Sequence, residues 1–134
     1  MAFQKFQPFV ADIANKVHNL GTDQLTVALT NTVPVNTNHV LTDLTQISYT
    51  NLSSRNITTT SSTQAAGVYS LILTNLTLTA SGTVAAFRYV VIYNSTAASG
   101  NLIGWYDYGS SITIQNGDTF AINFDQVNGL IQIT

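Results

Sequence analysis

Histidine and aspartate are the side chains of this 134-residue chain that could support acid–base chemistry or hold a metal ion. The two histidines are His18 and His39. Hydrolysis at either one would require an acidic partner and a nucleophile close to it in space. His18 falls on a predicted helix beside the apolar residue Val17, and His39 falls in a predicted loop. We therefore interpret both histidines as structural or surface residues and predict no catalytic site.

Three aspartates, Asp107, Asp118 and Asp125, fall near the C-terminal end of the sequence. Converging carboxylates can bind calcium, but the spacing here lacks the D-x-[DN]-x-[DN]-G framework and its closing glutamate. Asp118 follows Asn-Gly and Asp125 begins the stretch DQVNG, as is typical of aspartates in turns. The chain has no cysteine, which excludes disulfides and thiolate metal sites. We predict no metal and no cofactor.

An aromatic cluster at residues 86–94 (AFRYVVIYN) and 102–108 (LIGWYDY) is the strongest candidate for a ligand site. Tyrosines near a tryptophan can stack on sugars or anchor a protein interface. A period of two would also explain the cluster as the two covered faces of a central strand. One face would carry Phe87, Tyr89, Val91 and Tyr93, and the other would carry Arg88, Val90 and Ile92. We favour core plus interface over a small-molecule site.

Arg88 needs a separate explanation, because a charge on a strand covered on both faces requires a partner. Asp107 lies in the stretch that we expect to form the neighbouring strand. We therefore predict a structural ion pair between Arg88 and Asp107.

The elements that position these residues begin with a helix. Apolar residues recur there at spacings of three and four, which gives one apolar stripe. Pro8 suits the first helical position, and Gly21 suits the position after the last turn. The pattern predicts a helix from about Pro8 to Leu20. Its apolar stripe consists of Phe6, Phe9, Val10, Ile13, Val17 and Leu20.

Nearly everything after Gly21 has the patterns of strands. Residues 25–30 alternate, residues 68–80 form the longest alternating run, and Asn75 in that run marks a bulge or a change of face. Asn-Gly pairs at 116–117 and 128–129 predict hairpins and a strict C-terminal meander. We expect a mainly β protein, an antiparallel β-sandwich or flattened barrel of about seven or eight strands with one N-terminal helix. Residues 1–134 would form a single domain, with an arm or helix over 1–21 and the sandwich over 22–134.

The composition narrows the possible partners. Hydrophobic residues make up 45% of the chain, enough for a core, but only 7% are charged, against roughly 25% in an ordinary soluble domain. The net charge is −2, and four scattered cations cannot neutralise a row of phosphates, which argues against nucleic acid. No run is long enough for a membrane span, and the N-terminus does not resemble a signal peptide. We expect synthesis in the cytoplasm and a surface of hydroxyls and amides suited to permanent packing.

The stretches TLTASGTVAAFRYVVIYN and LIGWYDYGSSITIQNGDTFAINFDQVNGLIQIT, with the earlier LTVALTNTVPVNTNHVLTDLTQISYTN, resemble small virion structural proteins of tailed bacteriophages. The resemblance covers most of the chain and contains no catalytic motif. It implies a capsid decoration (cement) protein that binds the major capsid protein on the outside of the virion, as a homo-oligomer such as a trimer. A tail or fibre component is the competing assignment.

These assignments single out different residues. As a decoration protein, the chain would use Phe3, Phe6 and Phe9 as anchors of an N-terminal arm, since exposed aromatics at a terminus otherwise lack a purpose. As a tail component, it would contact host glycans through Tyr106 and Tyr108. A small hydrolase or lectin-like enzyme would need the histidines to converge with acids. We expect a non-enzymatic protein.

Overall fold

The computed structural model describes residues 1–134 and is mainly β, with 42% strand and 7% helix. The predicted mainly β, antiparallel, sandwich-like fold with one N-terminal helix is confirmed. Ten strands are present, and two of them have only two residues. The elements are β1 (Gln4–Lys5), α1 (Pro8–Ala14), β2 (Leu25–Thr30), a 3-10 turn (Leu41–Asp43), β3 (Asn56–Ile57), β4 (Thr59–Ala65), β5 (Val68–Leu73), β6 (Leu76–Thr79), β7 (Phe87–Asn94), β8 (Leu102–Ile112), β9 (Thr119–Ile122) and β10 (Ile131–Ile133). No helix is long and apolar enough to cross a membrane.

The strands form three antiparallel sheets around one main core. The five-stranded sheet has the order β1-β8-β7-β2-β3, the three-stranded sheet β10-β5-β4, and the two-stranded sheet β6-β9. Alternate residues of every sheet meet in the main core, which makes a sandwich of the five-stranded sheet and the two smaller ones. Its fully buried members include Leu25, Val27, Leu29, Leu71, Leu73, Leu78, Phe87, Val90, Ile92, Ile103 and Ile122.

The five-stranded sheet is covered on its outer face as well. Ala28, Val91 and Trp105 belong to a second buried cluster, and Phe6 of the N-terminal segment packs into it. Leu41 and Leu44 pack against the same cluster. The continuous apolar run of β7 therefore reflects a strand buried on both sides.

A register shift between β7 and β8 accompanies a change in the predicted division of the faces of β7. The register with β8 shifts between Phe87 and Tyr89. Phe87 therefore points into the main core with Val90 and Ile92, whereas Tyr89 lies in the outer cluster. The simple period of two was wrong for Phe87, because regular pairing is interrupted there: the two steps from Phe87 to Tyr89 match five steps from Ile112 to Asp107 on β8.

The helix α1 ends at Ala14, six residues before the predicted end. Lys16 adopts a left-handed conformation (φ 64°), the Val17 N–H donates to Asp12 O, and the Lys16 N–H donates to Ile13 O. These are the two bonds of a Schellman termination, which satisfies the last carbonyls of a helix. Glycine is the usual residue at the left-handed position, so the lysine found there does not indicate in the sequence that the helix ends.

The predicted C-terminal meander is wrong. A turn does form at 115–118, where the Asp118 N–H donates to Gln115 O and Gly117 has φ +86°. However, β9 pairs with β6, and β10 pairs with β5. A turn signal fixes a local reversal, but it does not determine which strand the chain pairs with afterwards. At Asn75 the chain crosses from the three-stranded sheet to the two-stranded one, and Asn75 Oδ1 accepts a bond from Phe124 N (2.9 Å).

Candidate functional site

The N-terminal aromatics are folded onto their own chain. Phe6 is 0% exposed and Phe9 is 3% exposed, while Phe3 is half-buried against Tyr106. The Phe6 N–H donates to Ile103 O, and β1 pairs with β8, so the segment wraps around that sheet edge. The prediction that Phe6 and Phe9 are exposed anchors is wrong, because both serve as core residues. Only Phe3 keeps part of its surface free.

Tyr106 and Tyr108 lie in different environments. Tyr106 is 5% exposed, and this desolvation raises the pKa of Tyr106 to about 12. Its ring packs against Phe3 and Phe124, so the prediction that it contacts a partner is wrong. Tyr108 is 44% exposed and its ring packs against that of Phe120, with ring centroids 5.3 Å apart. Tyr108 is therefore the one residue of the predicted pair that an outside partner can reach.

Arg88 and Asp107 form a two-pronged ion pair across β7 and β8. Arg88 Nε lies 2.8 Å from Asp107 Oδ1, and Arg88 Nη2 lies 3.1 Å from Asp107 Oδ2. The side chains are 37% and 34% exposed, so the pair sits at the surface. The guanidinium, followed by the Gly109 N–H, lowers the pKa of Asp107, and the carboxylate raises the pKa of Arg88. The pair orders the end of the sheet and leaves no buried charge unpaired.

The two histidines converge on one carboxylate, which the sequence did not indicate. Asp12 is 6% exposed, and its carboxylate lies 2.9 Å from His39 Nε2. Asn101 Nδ2 donates to the same Oδ2 atom at 3.0 Å, and His18 Nε2 lies 3.9 Å from it. The cluster joins α1 to the connections around β7 and β8. Its members come from four separate parts of the chain, so no local spacing could have revealed it.

Hydrogen bonding fixes the tautomer of His18. Asn94 Oδ1 accepts bonds from the backbone of Thr96 and Ala97, so Asn94 Nδ2 faces His18 Nδ1 at 3.0 Å. His18 Nδ1 therefore accepts, and the ring hydrogen lies on Nε2. Burial lowers the pKa of His18, more strongly than Asp12 and Asp23 raise it.

This arrangement suits a structural role better than chemistry. A metal ion would need the lone pair of His18 Nε2, which carries the hydrogen. The structure contains no group of three or more His, Cys, Asp or Glu side chains placed to hold a metal. Neither histidine hydrogen-bonds a serine or threonine hydroxyl that could act as a nucleophile. The cluster holds the helix in place.

An apolar hollow lies between α1 and β10. One hollow of about 470 Å³ is lined by Phe3, Phe9, Val10 and the β10 strand, and a second of about 530 Å³ continues beyond Ile13. Ile13 and Ile133 line both hollows, so the two form one surface, which we call the α1–β10 groove. Val10 is 55% exposed and Ile133 is 45% exposed. Exposed apolar surface of this kind marks interaction sites.

The three-stranded sheet has two open edges. β4 (TTSSTQA) lies at one edge and β10 (IQI) at the other. Neither strand contains a charged residue or a proline, the residues that usually keep edge strands from pairing with other chains. Hydroxyls of β4 bond to one another and to neighbours, as in Ser62–Tyr69 at 2.7 Å. Both edges therefore offer free backbone groups without electrostatic protection.

These features define a mainly β sandwich whose candidate site consists of the α1–β10 groove and the uncharged edge strands β4 and β10. Comparisons with protein-family models, curated protein sequences and solved structures found no match.

Proposed function

We propose that the chain is a non-enzymatic structural protein of a bacteriophage virion and decorates the outer surface of the capsid by binding the major capsid protein. The observation that carries this proposal is the pair of uncharged edges, β4 and β10. Edges without charge or proline expose a free protein to aggregation. A protein fixed in a shell has such surfaces covered by its neighbours.

The composition supports the same role. Charged residues make up 7% of the chain, and the exposed strand β4 consists of hydroxyl, amide and methyl side chains. Such a surface loses little on desolvation compared with one of carboxylates and ammonium groups. In a shell, modest contacts are multiplied over many copies, so a small rigid protein stabilises the whole particle. Self-association into a homo-oligomer such as a trimer would add to this effect.

Deletion of the gene from a phage that encodes the protein tests the proposal. We expect assembled particles that lose infectivity at lower temperature, or at lower chelator concentration, than the parent. Addition of the purified chain should restore tolerance, and electron microscopy should show the regained density on the outer shell in many copies. Particles of unchanged stability with no outer density missing would contradict the proposal.

A tail or fibre role is the second candidate, and Tyr108 favours it. Its ring is 44% exposed beside Phe120, as an aromatic platform for a sugar would be. In that case Tyr108→Ala should reduce adsorption to host cells while particle assembly stays normal. Val127→Ala is the control, because Val127 is exposed away from the aromatic pair. Equal adsorption by the two variants would argue against this candidate.

A further inference from the structure

We propose that the α1–β10 groove binds an extended segment of another polypeptide, in which alternate side chains are apolar and an acidic side chain lies at each end. The segment would add to β10 as a further strand. This inference rests on the proposed function and deepens it, since in a virion the segment would belong to the shell protein.

The walls of the groove favour an apolar occupant. Phe9 and Ile131 form its buried base, and Val10 and Ile133 present their side chains at its rim, 55% and 45% exposed. Ile13 joins its two hollows into one elongated depression. An extended chain that placed every second side chain in this depression would bury exposed apolar surface on both partners.

The backbone of β10 favours an extended occupant. Ile131, Gln132 and Ile133 pair with Leu71, Ser70 and Tyr69 of β5, and no strand lies on the other side. Addition of a strand to a free sheet edge gains affinity from main-chain hydrogen bonds and specificity from alternate side chains. The groove lies beside this free edge, so one segment can use both.

The charges of the groove favour acidic ends. Lys5 lines the first hollow and Lys16 the second, so two of the four cationic residues of the chain lie here. No aspartate lines either hollow. A second copy docked through the same face would bring four lysines together without an aspartate, which argues against a symmetric dimer at this site. An acidic partner pairs with both lysines.

The length of the segment follows from the geometry. The two lysines flank α1, whose seven residues span about 10 Å, and each has a long, flexible side chain. Two residues six positions apart in a strand lie about 20 Å from each other and share one face. With the reach of two lysine side chains added to the length of the helix, a segment of about seven residues, acidic at its first and last positions, can present a carboxylate to each lysine.

Titration with a synthetic peptide tests the proposal. The probe is the capped heptapeptide Asp-Thr-Val-Thr-Val-Thr-Asp, added to the ¹⁵N-labelled full chain and followed by amide chemical shifts. We expect saturable shifts at β10 and on both sides of α1. Replacement of both aspartates by lysine should weaken binding at least about tenfold, and N-methylation of alternate peptide bonds should abolish it.

Matched variants locate the site. Lys5→Glu combined with Lys16→Glu should weaken binding of the aspartate peptide at least about tenfold and improve binding of the lysine peptide. Val10→Asp should also weaken binding of the aspartate peptide, whereas Val127→Asp, on an exposed residue outside the groove, should not. No shifts at β10, equal binding of the two peptides, or binding that survives N-methylation would overturn the proposal.

The peptide titration is independent of the virion experiment. Peptide binding at the groove by a protein that is absent from particles would retain this inference and contradict the proposed function. A protein that decorates particles but does not bind the aspartate peptide would support the proposed function and contradict this inference.

Discussion

A contact between His39 and Asp12 attaches the single α-helix to the rest of the molecule. His39 Nε2 lies 2.9 Å from Asp12 Oδ2 and 3.0 Å from Asp12 Oδ1. Asn101 Nδ2 donates to the same carboxylate, which is only 6% exposed. The two donors come from the loop before the 3-10 turn and from the last residue of the connection between β7 and β8. A buried carboxylate with such partners stabilises only as long as they remain.

Replacement of Asp12 by alanine should therefore destabilise the protein by about 1–3 kcal/mol, because the buried Asn101 amide loses its acceptor and the half-exposed His39 ring loses its partner. Urea denaturation measures the free energy of unfolding. Asp118→Ala is the control, since Asp118 is exposed and accepts a local bond from Gln115 N. A free energy for Asp12→Ala that equals that of the control would show that the cluster contributes nothing to the fold.

His18 should make stability fall on acidification. Burial lowers its pKa below the ordinary value of 6.5, so the folded protein disfavours the charged ring. The contribution of the neutral His18 ring to stability is complete above pH 6.5. It is lost as the pH falls from 6.5 towards the pKa of His18 in the folded protein, because the unfolded chain binds the proton first. Asp12, Asp23 and His39 are the ionisable groups facing His18, and the aspartates offset part of the loss.

The measurement for His18 is the free energy of unfolding between pH 7.5 and 5. We expect it to fall by no more than about 1.4 kcal/mol per pH unit for one proton. His18→Gln, which has no ring to titrate, should flatten this dependence. Parallel pH profiles for wild type and His18→Gln would refute the assignment.

Phe6 should be a major contributor to stability. Its side chain is 0% exposed in the outer cluster, so Phe6→Ala should cost about 3–5 kcal/mol. Phe3→Ala is the matched control, because Phe3 is also an N-terminal phenylalanine but is only half-buried. We expect Phe6→Ala to speed amide hydrogen exchange in β8 opposite β1 far more than Phe3→Ala. Equal effects would show that the segment is loosely attached.

The sequence was sufficient for the fold class, because the alternation in β2 and the continuous apolar run of β7 predict strands that are buried on one or both faces. It was insufficient for strand pairing. Asn116-Gly117 correctly marks a turn, but the partner of β9 depends on Leu78 and Phe120 meeting in the core, a contact between distant residues. Local turn chemistry carries no information about such contacts.

The candidate site was predictable only in part. The Arg88–Asp107 pair was predictable because Asp107 is the one acidic residue in the stretch expected to form the strand next to Arg88, even though the register shift between Phe87 and Tyr89 was not foreseen. The burial of Phe6 and Tyr106 was not predictable from the sequence. Both depend on the N-terminal segment folding back onto β8, and a terminal segment carries no signal that it will do so. The α1–β10 groove also depends on that fold-back, so no pattern in the sequence could reveal it.

Loss of the Arg88–Asp107 pair should have a small, salt-sensitive effect. Both side chains are partly exposed, so water and salt screen their attraction. Asp107→Asn should lower the melting temperature slightly at low ionic strength and less at high ionic strength. Its lowered pKa means that the contribution is present above pH 3.8 and disappears as the pH falls below it. A double-mutant cycle with Arg88→Gln isolates the pair, and strictly additive effects would show no coupling.

Gly129 should tolerate an added side chain less well than Gly117, which is its matched control. Both have left-handed backbones, with φ +84° and +86°. A methyl group on Gly117 would meet nothing within 4 Å, whereas one on Gly129 would lie 2.5 Å from the carbonyl oxygen of Leu71 in β5. Gly117→Ala should therefore cost about 1–2 kcal/mol from backbone strain alone, and Gly129→Ala at least about 1 kcal/mol more.

The extra cost should be local to the attachment of β10, since the Leu130 N–H donates to the same Leu71 oxygen. Hydrogen exchange at residues 130–133 should accelerate in Gly129→Ala while β9 remains protected. Equal free energies of unfolding for the two alanine variants, or equal exchange in β10, would show that the backbone of β5 at Leu71 can move away from the added methyl group without loss of stability.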